Sequence, residues 1–283
     1  MQNGLSSCFK NVSLSTLLAL SLLFCALPSK ATVLLVLEKP SGTVEKRINE
    51  RLKDSEAVTT AIGFLNSTFK TPRDITLRFG PYERIWYEND EIQIPYGFIH
   101  DIRRRYQKAY LKHPKIEIDR FTAHVLLHVI FHEFAHALIE QYDMPVIGKE
   151  EDAADNFADV ALINFFDEGK SIVTDAADLF YINSIGFSRP EKEDYWSEHS
   201  LAKQRYYARL CHVFGSSPNT QLELKKRIKL SDERAHRCVI QYYELQRSWM
   251  RLLEPALVNP PSKSSEEHTQ QTNNHQPLAN AEQ

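Results

Sequence analysis

The chain has 283 residues, 42% of them hydrophobic and 25% charged, the balance of an ordinary globular protein of one large or two small domains. A formal net charge of −3 and the lack of a long basic run exclude an electrostatic pull toward nucleic acid.

The first 31 residues read as a leader. Lys10 is the only charged side chain before residues 12–27, a Leu-rich stretch free of charge. Pro28 ends it, and Ser29-Lys30-Ala31 sets small residues at the two positions a signal peptidase reads. Sixteen residues fall short of the roughly 20 that span a bilayer, so cleavage after Ala31 and export, periplasmic or secreted, are expected. An uncleaved anchor is the alternative. Phe24 sits where a lipoprotein signal ahead of Cys25 wants a small residue. No later segment reads as a membrane span.

Residues 32–37 are β-branched and Leu-rich, a strand. Residues 43–70 carry helical periodicity, broken near Asp54-Ser55 and stopped by Pro72. Ile75, Leu77 and Phe79 alternate with polar neighbours as a half-buried strand does, up to Gly80-Pro81. Ile85-Trp86-Tyr87 and Ile92-Gln93-Ile94 flank Glu88-Asn89-Asp90, a hairpin signal. Helices are expected at 97–112, 118–141, 149–168, 173–185, 200–214, 221–229 and 232–253. A few strands, then helices, with no β-α-β alternation, predict an α+β fold: a small, mostly antiparallel N-terminal sheet followed by a largely helical region. Residues 32–258 form the expected domain. Residues 259–283 are rich in Pro, Ser, Gln, Asn and Glu, and are expected to remain a disordered tail.

With Cys8 and Cys25 in the leader, Cys211 and Cys238 are the remaining cysteines. In an oxidising compartment such a pair reads as a disulfide, and closing that loop stabilises a fold by roughly 3–4 kcal/mol. Two separate buried thiols are the alternative.

The chemistry lies in the helix expected at 118–141, where His132-Glu133-Phe134-Ala135-His136 is set among apolar residues. Residues four apart share a helix face, so His132 and His136 can converge on one metal ion. Glu133, turned about 100° away, can reach a water held by that metal. A bare H-E-x-x-H arises by chance in roughly one chain in a hundred of this length. Here the ten-residue window from Val129 holds no other charge, as a buried active-site helix requires. His124 and His128 continue the same spacing, but only His132 and His136 bracket a glutamate. The other two are read as structural or supporting.

After Pro145 and Gly148 the next helix opens with Glu150, Glu151, Asp152 and Asp155. Acids at a helix N-terminus are stabilised by the macrodipole, which accounts for the first three but not for Asp155, on a small apolar face continued by Ala158 and Leu162. Glu151 is thus the candidate third ligand, with Asp155 able to accept from the far nitrogen of a ligating histidine.

His-Glu-Phe-Ala-His followed by Glu151-x-x-x-Asp155 resembles the glutamate-type zincins, of which thermolysin is the best known. Closer still, the run from Gly148 to Asp155, and Ser197-Glu198-His199-Ser200-Leu201 with Gln204-Arg205, resemble a bacterial family of candidate metallopeptidases. Thr71-Pro72-Arg73-Asp74-Ile75-Thr76 and the surroundings of Cys211 and Cys238 extend the likeness over roughly residues 33–256, so one family unit without an added module is expected. The resemblance implies a zincin-like fold and one Zn²⁺ per chain, held by His132, His136 and Glu151. It also implies Glu133 as catalytic base, Asp155 behind the ligands, and a peptide or protein substrate. Glutamate-type zincins use a downstream His or Tyr to stabilise the oxyanion. His199 is the candidate, with Asp194 placed to orient it; a polar helix entrance capped by Ser197 or Ser200 is the alternative. Zincins also hold substrate on a strand edge, for which residues 91–94 are the candidate. Fifteen positions separate His136 from Glu151, fewer than in thermolysin, so the connecting loop differs. A zinc hydrolase of a non-peptide amide or ester, and a metal-binding pseudo-enzyme, are the competing functions.

Overall fold

The computed structural model describes residues 31–110, 115–185 and 189–260. The leader through Lys30 and the polar tail beyond residue 260 lie outside the described residues.

The chain enters through strand β1 (Val33–Leu37) and crosses over through helices α1 (Thr43–Lys53) and α2 (Glu56–Thr68) to β2 (Ile75–Gly80). The break expected near Asp54-Ser55 is there, with Ser55 Oγ accepting from Val58 N at the start of α2. Strands β3 (Trp86–Glu88) and β4 (Glu91–Pro95) form the hairpin. Asn89 and Asp90 turn it with φ of 52° and 62°, the paired left-handed conformations of a type I′ turn.

The fold is α+β as expected, but the strand directions are not. The four-stranded sheet runs β1-β2-β4-β3, with β1/β2 and β2/β4 parallel and only β3/β4 antiparallel. The two-helix crossover returns the chain to the same end of the sheet, making β2 parallel to β1. Because β3 takes the outer edge, its hairpin partner β4 lies against β2, also in parallel. Ile75, Leu77, Phe79, Ile92 and Ile94 are fully buried on one face, while on the other Arg78 pairs with Glu38 and Glu91 at 2.7 and 2.9 Å. Hence the period-2 signal of β2.

Helices α3 (Tyr96–Ala109), α4 (Lys115–Gln141), α5 (Glu150–Phe165), α6 (Gly169–Ser184), the short α7 (Lys192–Tyr195), α8 (Ala202–Ser216), α9 (Leu222–Arg227) and α10 (Asp232–Leu253) follow. Helix α6 begins four residues before its expected start. Gly169 permits this tight entry, because a Cβ there would sit 1.9 Å from Leu162 O. Gly215 plays the same part between α8 and α10, where a Cβ would approach Cys238 O to 2.2 Å. Cys211 and Cys238 are joined across this contact as a disulfide, 27 residues apart.

Helix α4 is the axle. Phe131, Phe134, Ala135 and Leu138 are fully buried, and α2, α3, α5, α6 and the sheet pack around it. By length and hydropathy residues 117–141 match a membrane span, contrary to the sequence reading, yet 83% of that apolar window is buried inside the protein. A helix enclosed on all sides is apolar all round without crossing a bilayer. The sheet is pinned to its C-terminal end: Asp90 accepts from Arg73 Nε at 2.6 Å and from Gln141 Nε2 at 2.8 Å.

Candidate active site

His132, Glu133 and His136 lie on α4, and Glu151 and Asp155 on the first turns of α5, which packs along it. His132 Nε2 is 3.3 Å from His136 Nε2 and 3.1 Å from Glu151 Oε2, and His136 Nε2 is 3.7 Å from Glu151 Oε1. One donor atom from each residue falls within 4.8 Å of the others, the one such group of three among the described residues. Two imidazole nitrogens and a carboxylate oxygen are a zinc donor set, so the residues fit the metal the sequence implied.

Each histidine is oriented from behind. His132 Nδ1 lies 2.8 Å from Asp155 Oδ1, and His136 Nδ1 lies 2.7 Å from Glu150 Oε1. With a metal bound, a proton held on Nδ1 would leave the Nε2 lone pair for the ion. Burial opposes charge on His132, but Asp155 and Glu151 outweigh it and lift this imidazole to about 9. Burial likewise works against the Glu151 carboxylate, and His132, His136 and His199 hold it far below its usual range. Glu133 is buried with Oε1 4.0 Å from His132 Nε2. Its burial raises its pKa, only partly offset by His132 and His136.

His199 joins the group from the far side of the cleft, with Nε2 2.8 Å from Glu151 Oε2. It is not placed by Asp194, whose Oδ2 accepts from Glu191 N at 2.8 Å and closes the start of α7. Nor do Ser197 and Ser200 form a helix entrance. Lys149 Nζ donates to Ser197 O and His199 O at 3.0 and 3.3 Å, and Ser200 Oγ donates to Asp152 Oδ2 at 2.7 Å. These bonds tie the His199 segment to the N-terminal turn of α5.

His124 and His128 stand outside the cluster. His124 Nδ1 is 2.6 Å from Asp175 Oδ2, and His128 Nε2 is 2.9 Å from Asp159 Oδ1. Burial and the nearby Arg209 keep His128 neutral by lowering its pKa. Along α4, then, all four histidines meet a carboxylate from α5 or α6.

Sequence reasoning missed the groups that hold Asp155. From α8, Arg205 Nε and Nη2 donate to Asp155 Oδ2 and Oδ1 at 2.7 and 2.8 Å, and Arg209 Nη2 donates to Oδ1 at 2.6 Å. His212 Nδ1 lies 2.8 Å from Asp159 Oδ2. Asp155 and Asp159 are four apart on α5, as are Arg205 and Arg209 on α8, so helical spacing in both segments was the available signal. Arg209 is 1% exposed, and removing it takes a buried counter-charge from two buried carboxylates, leaving Arg205 as the one arginine on Asp155 and only histidines on Asp159. Arg209→Ala is expected to destabilise the protein by about 3–5 kcal/mol, read by denaturant unfolding. A loss below about 1 kcal/mol would mean that Asp155 and Asp159 do not depend on it.

The cluster opens into a cleft of about 1170 Å³ along α4. Strand β4 cannot receive a substrate strand, because β2 and β3 occupy both its edges. The edge strands of the sheet are β1 and β3, and it is Trp86 and Tyr87 of β3 that line the cleft.

The histidine pair that brackets a buried glutamate on one helix, with a carboxylate from the next, is a group of residues that could hold a metal ion. A family described as "Putative metallopeptidase" matches residues 38–253. The chain belongs to this metallopeptidase family. No curated protein and no solved structure matches it.

Proposed function

We propose that the protein is an exported zinc metallopeptidase that hydrolyses peptide bonds, with His132, His136 and Glu151 holding the metal and Glu133 as general base. The convergence of these three donors with a buried carboxylate and His199 in one open cleft carries the reading. When bound, zinc supplies a Lewis acid that polarises a carbonyl and lowers the pKa of a water toward about 7.

The chain's own residues do the rest. Glu133 takes the proton of the attacking water and passes it to the leaving amine, a task its burial-raised pKa suits. His199, its side chain 45% exposed beside Glu151, turns to the substrate and donates from Nε2 to the developing oxyanion. Asp155 and Glu150 fix the two histidine rings. The β3 edge offers backbone groups to an extended peptide. Export rests on the leader composition, and the Cys211–Cys238 disulfide suits an oxidising compartment.

Purified protein is expected to carry about one zinc per chain and to cleave a generic peptide library until a chelator removes the metal. Zinc without cleavage would favour the pseudo-enzyme or a non-peptide substrate, and protein that binds no zinc would end the proposal.

A further inference from the structure

A second concavity, of about 600 Å³, lies between α1 and α3 over the N-terminal half of α4. Its walls carry one sign of charge. Arg47 and Arg51 come from α1, and His100, Arg103 and Arg104 from α3, while Asp119 of α4 is the single acid among the lining residues. Helical spacing gathers them: Arg47 and Arg51 are four apart on one face of α1, as are His100 and Arg104 on one face of α3. Beneath them Ile48, Leu52, Ile99 and Leu126 are buried and close the floor. A helix advances about 1.5 Å per residue, so the 13 positions from Asp119 to His132 set this groove roughly 20 Å from the candidate ligands.

In a chain with a formal net charge of −3, these guanidinium groups are brought together against their mutual repulsion. Asp119 shows what they favour. Its Oδ1 accepts from Nη1 of both Arg51 and Arg103. Burial works against the ionised carboxyl, yet Arg103 and Arg51 hold its pKa below the usual range. One carboxylate does not exhaust the donors. A guanidinium has five N–H groups, and Arg51 and Arg103 each give one to Asp119. Arg104 is paired with Asp101, three residues before it, with both side chains well exposed, a pair that contributes little. Arg47 is exposed and has no hydrogen bond or ion pair among the described residues.

We infer that this groove is a binding site for a phosphate-bearing ligand, separate from the metal cluster. Arg47 and Arg51 close on the phosphate from the α1 wall, and Arg103 and Arg104 from the α3 wall. A carboxylate offers two oxygens, and Asp119 already supplies one such group. A phosphate monoester carries a charge of about −1.5 to −2 and three acceptor oxygens, enough to meet both walls at once. The planar fork of arginine matches it. Soluble phosphate esters and lipid headgroups share this chemistry. The inference does not depend on the peptidase reading.

The full chain is titrated calorimetrically with glycerol 3-phosphate and with acetate, and sedimented with vesicles of phosphatidylcholine alone or mixed with phosphatidic acid. Binding is expected to glycerol 3-phosphate, to the phosphatidic acid vesicles or to both, and to neither acetate nor pure phosphatidylcholine. The double variant Arg47→Gln/Arg104→Gln, at two exposed positions, should lose at least about 10-fold in affinity, the usual worth of a hydrogen bond to a charged group. Lys46→Gln/Lys108→Gln removes the same charge from exposed positions outside the groove. It should leave binding nearly unchanged at physiological salt, where separated surface charges are screened. Asp119→Asn should bind more tightly, because it frees donors of Arg51 and Arg103 for the ligand. Capture by vesicles alone would assign the groove to a lipid headgroup, and binding of glycerol 3-phosphate alone to a soluble ester. Equal losses in the two double variants, or no binding in either arm, would overturn the site. Binding that a chelator abolishes would overturn it too, by placing the phosphate on the metal.

Discussion

Glu133→Gln is expected to keep its zinc and lose about 10²–10⁴ in kcat, the contribution of a general base. Glutamine has the shape of glutamate, so the buried site on α4 keeps its packing, and His132, His136 and Glu151 are untouched. What goes is the capacity to accept a proton. Glu133 sits with Oε1 4.0 Å from His132 Nε2, near the candidate ligands without completing their cluster. Burial also leaves it proton-hungry, raising its pKa against the partial offset of His132 and His136. The measurement pairs metal stoichiometry with turnover of a fluorogenic peptide. Zinc retained with near-normal turnover would sink the assignment. Loss of both would show that the residue serves folding or metal binding, and the base would have to be sought elsewhere in the cleft.

The candidate cluster was legible because helix geometry is local. A spacing of four residues fixes a shared face, so His132 and His136 could be paired from the sequence, and Asp155 stood out as an acid on a small apolar face. What stayed hidden depends on contacts between distant segments. Arg205 and Arg209 are 50 and 54 positions from Asp155, and nothing within α8 shows which helix it will face. Glu150 was concealed differently. The macrodipole already explains an acid at that position, so its bond to His136 had no separate signature. Strand order was unreadable for a related reason. The patterns of β2 and β4 report burial of one face but not which neighbour lies beside each edge, and the α1–α2 crossover sets that neighbour. The helix of residues 117–141 is a separate case, where composition alone suits either a bilayer or a protein core and only the surrounding elements distinguish them.

Glu151→Ala should cost the protein most of its zinc, and the neighbouring Glu150→Ala should weaken binding far less. Both carboxylates contact a histidine of the pair, but from opposite sides. Glu151 faces the Nε2 atoms of His132, His136 and His199, at 3.1, 3.7 and 2.8 Å. It is therefore placed among the lone pairs a metal would use, and all three histidines favour its ionised form. Removing it leaves two protein ligands where a catalytic zinc site wants three. Glu150 instead touches the far nitrogen of His136, Nδ1, at 2.7 Å. Losing a contact of that kind typically costs 10–100-fold in metal affinity, and with a side chain 51% exposed, Glu150 belongs at about the low end, since water can replace it. Competition against a chromophoric chelator gives the three affinities on one scale, expected in the order wild type, Glu150→Ala, then Glu151→Ala by more than a further factor of about 100. His128→Ala is the control for the alternative histidine pair. Its ring is engaged with Asp159, so zinc affinity should survive its removal even where stability falls. If Glu151→Ala instead matched wild type, the third ligand would not be Glu151, and the His199 contact would have to be read as an ion pair alone.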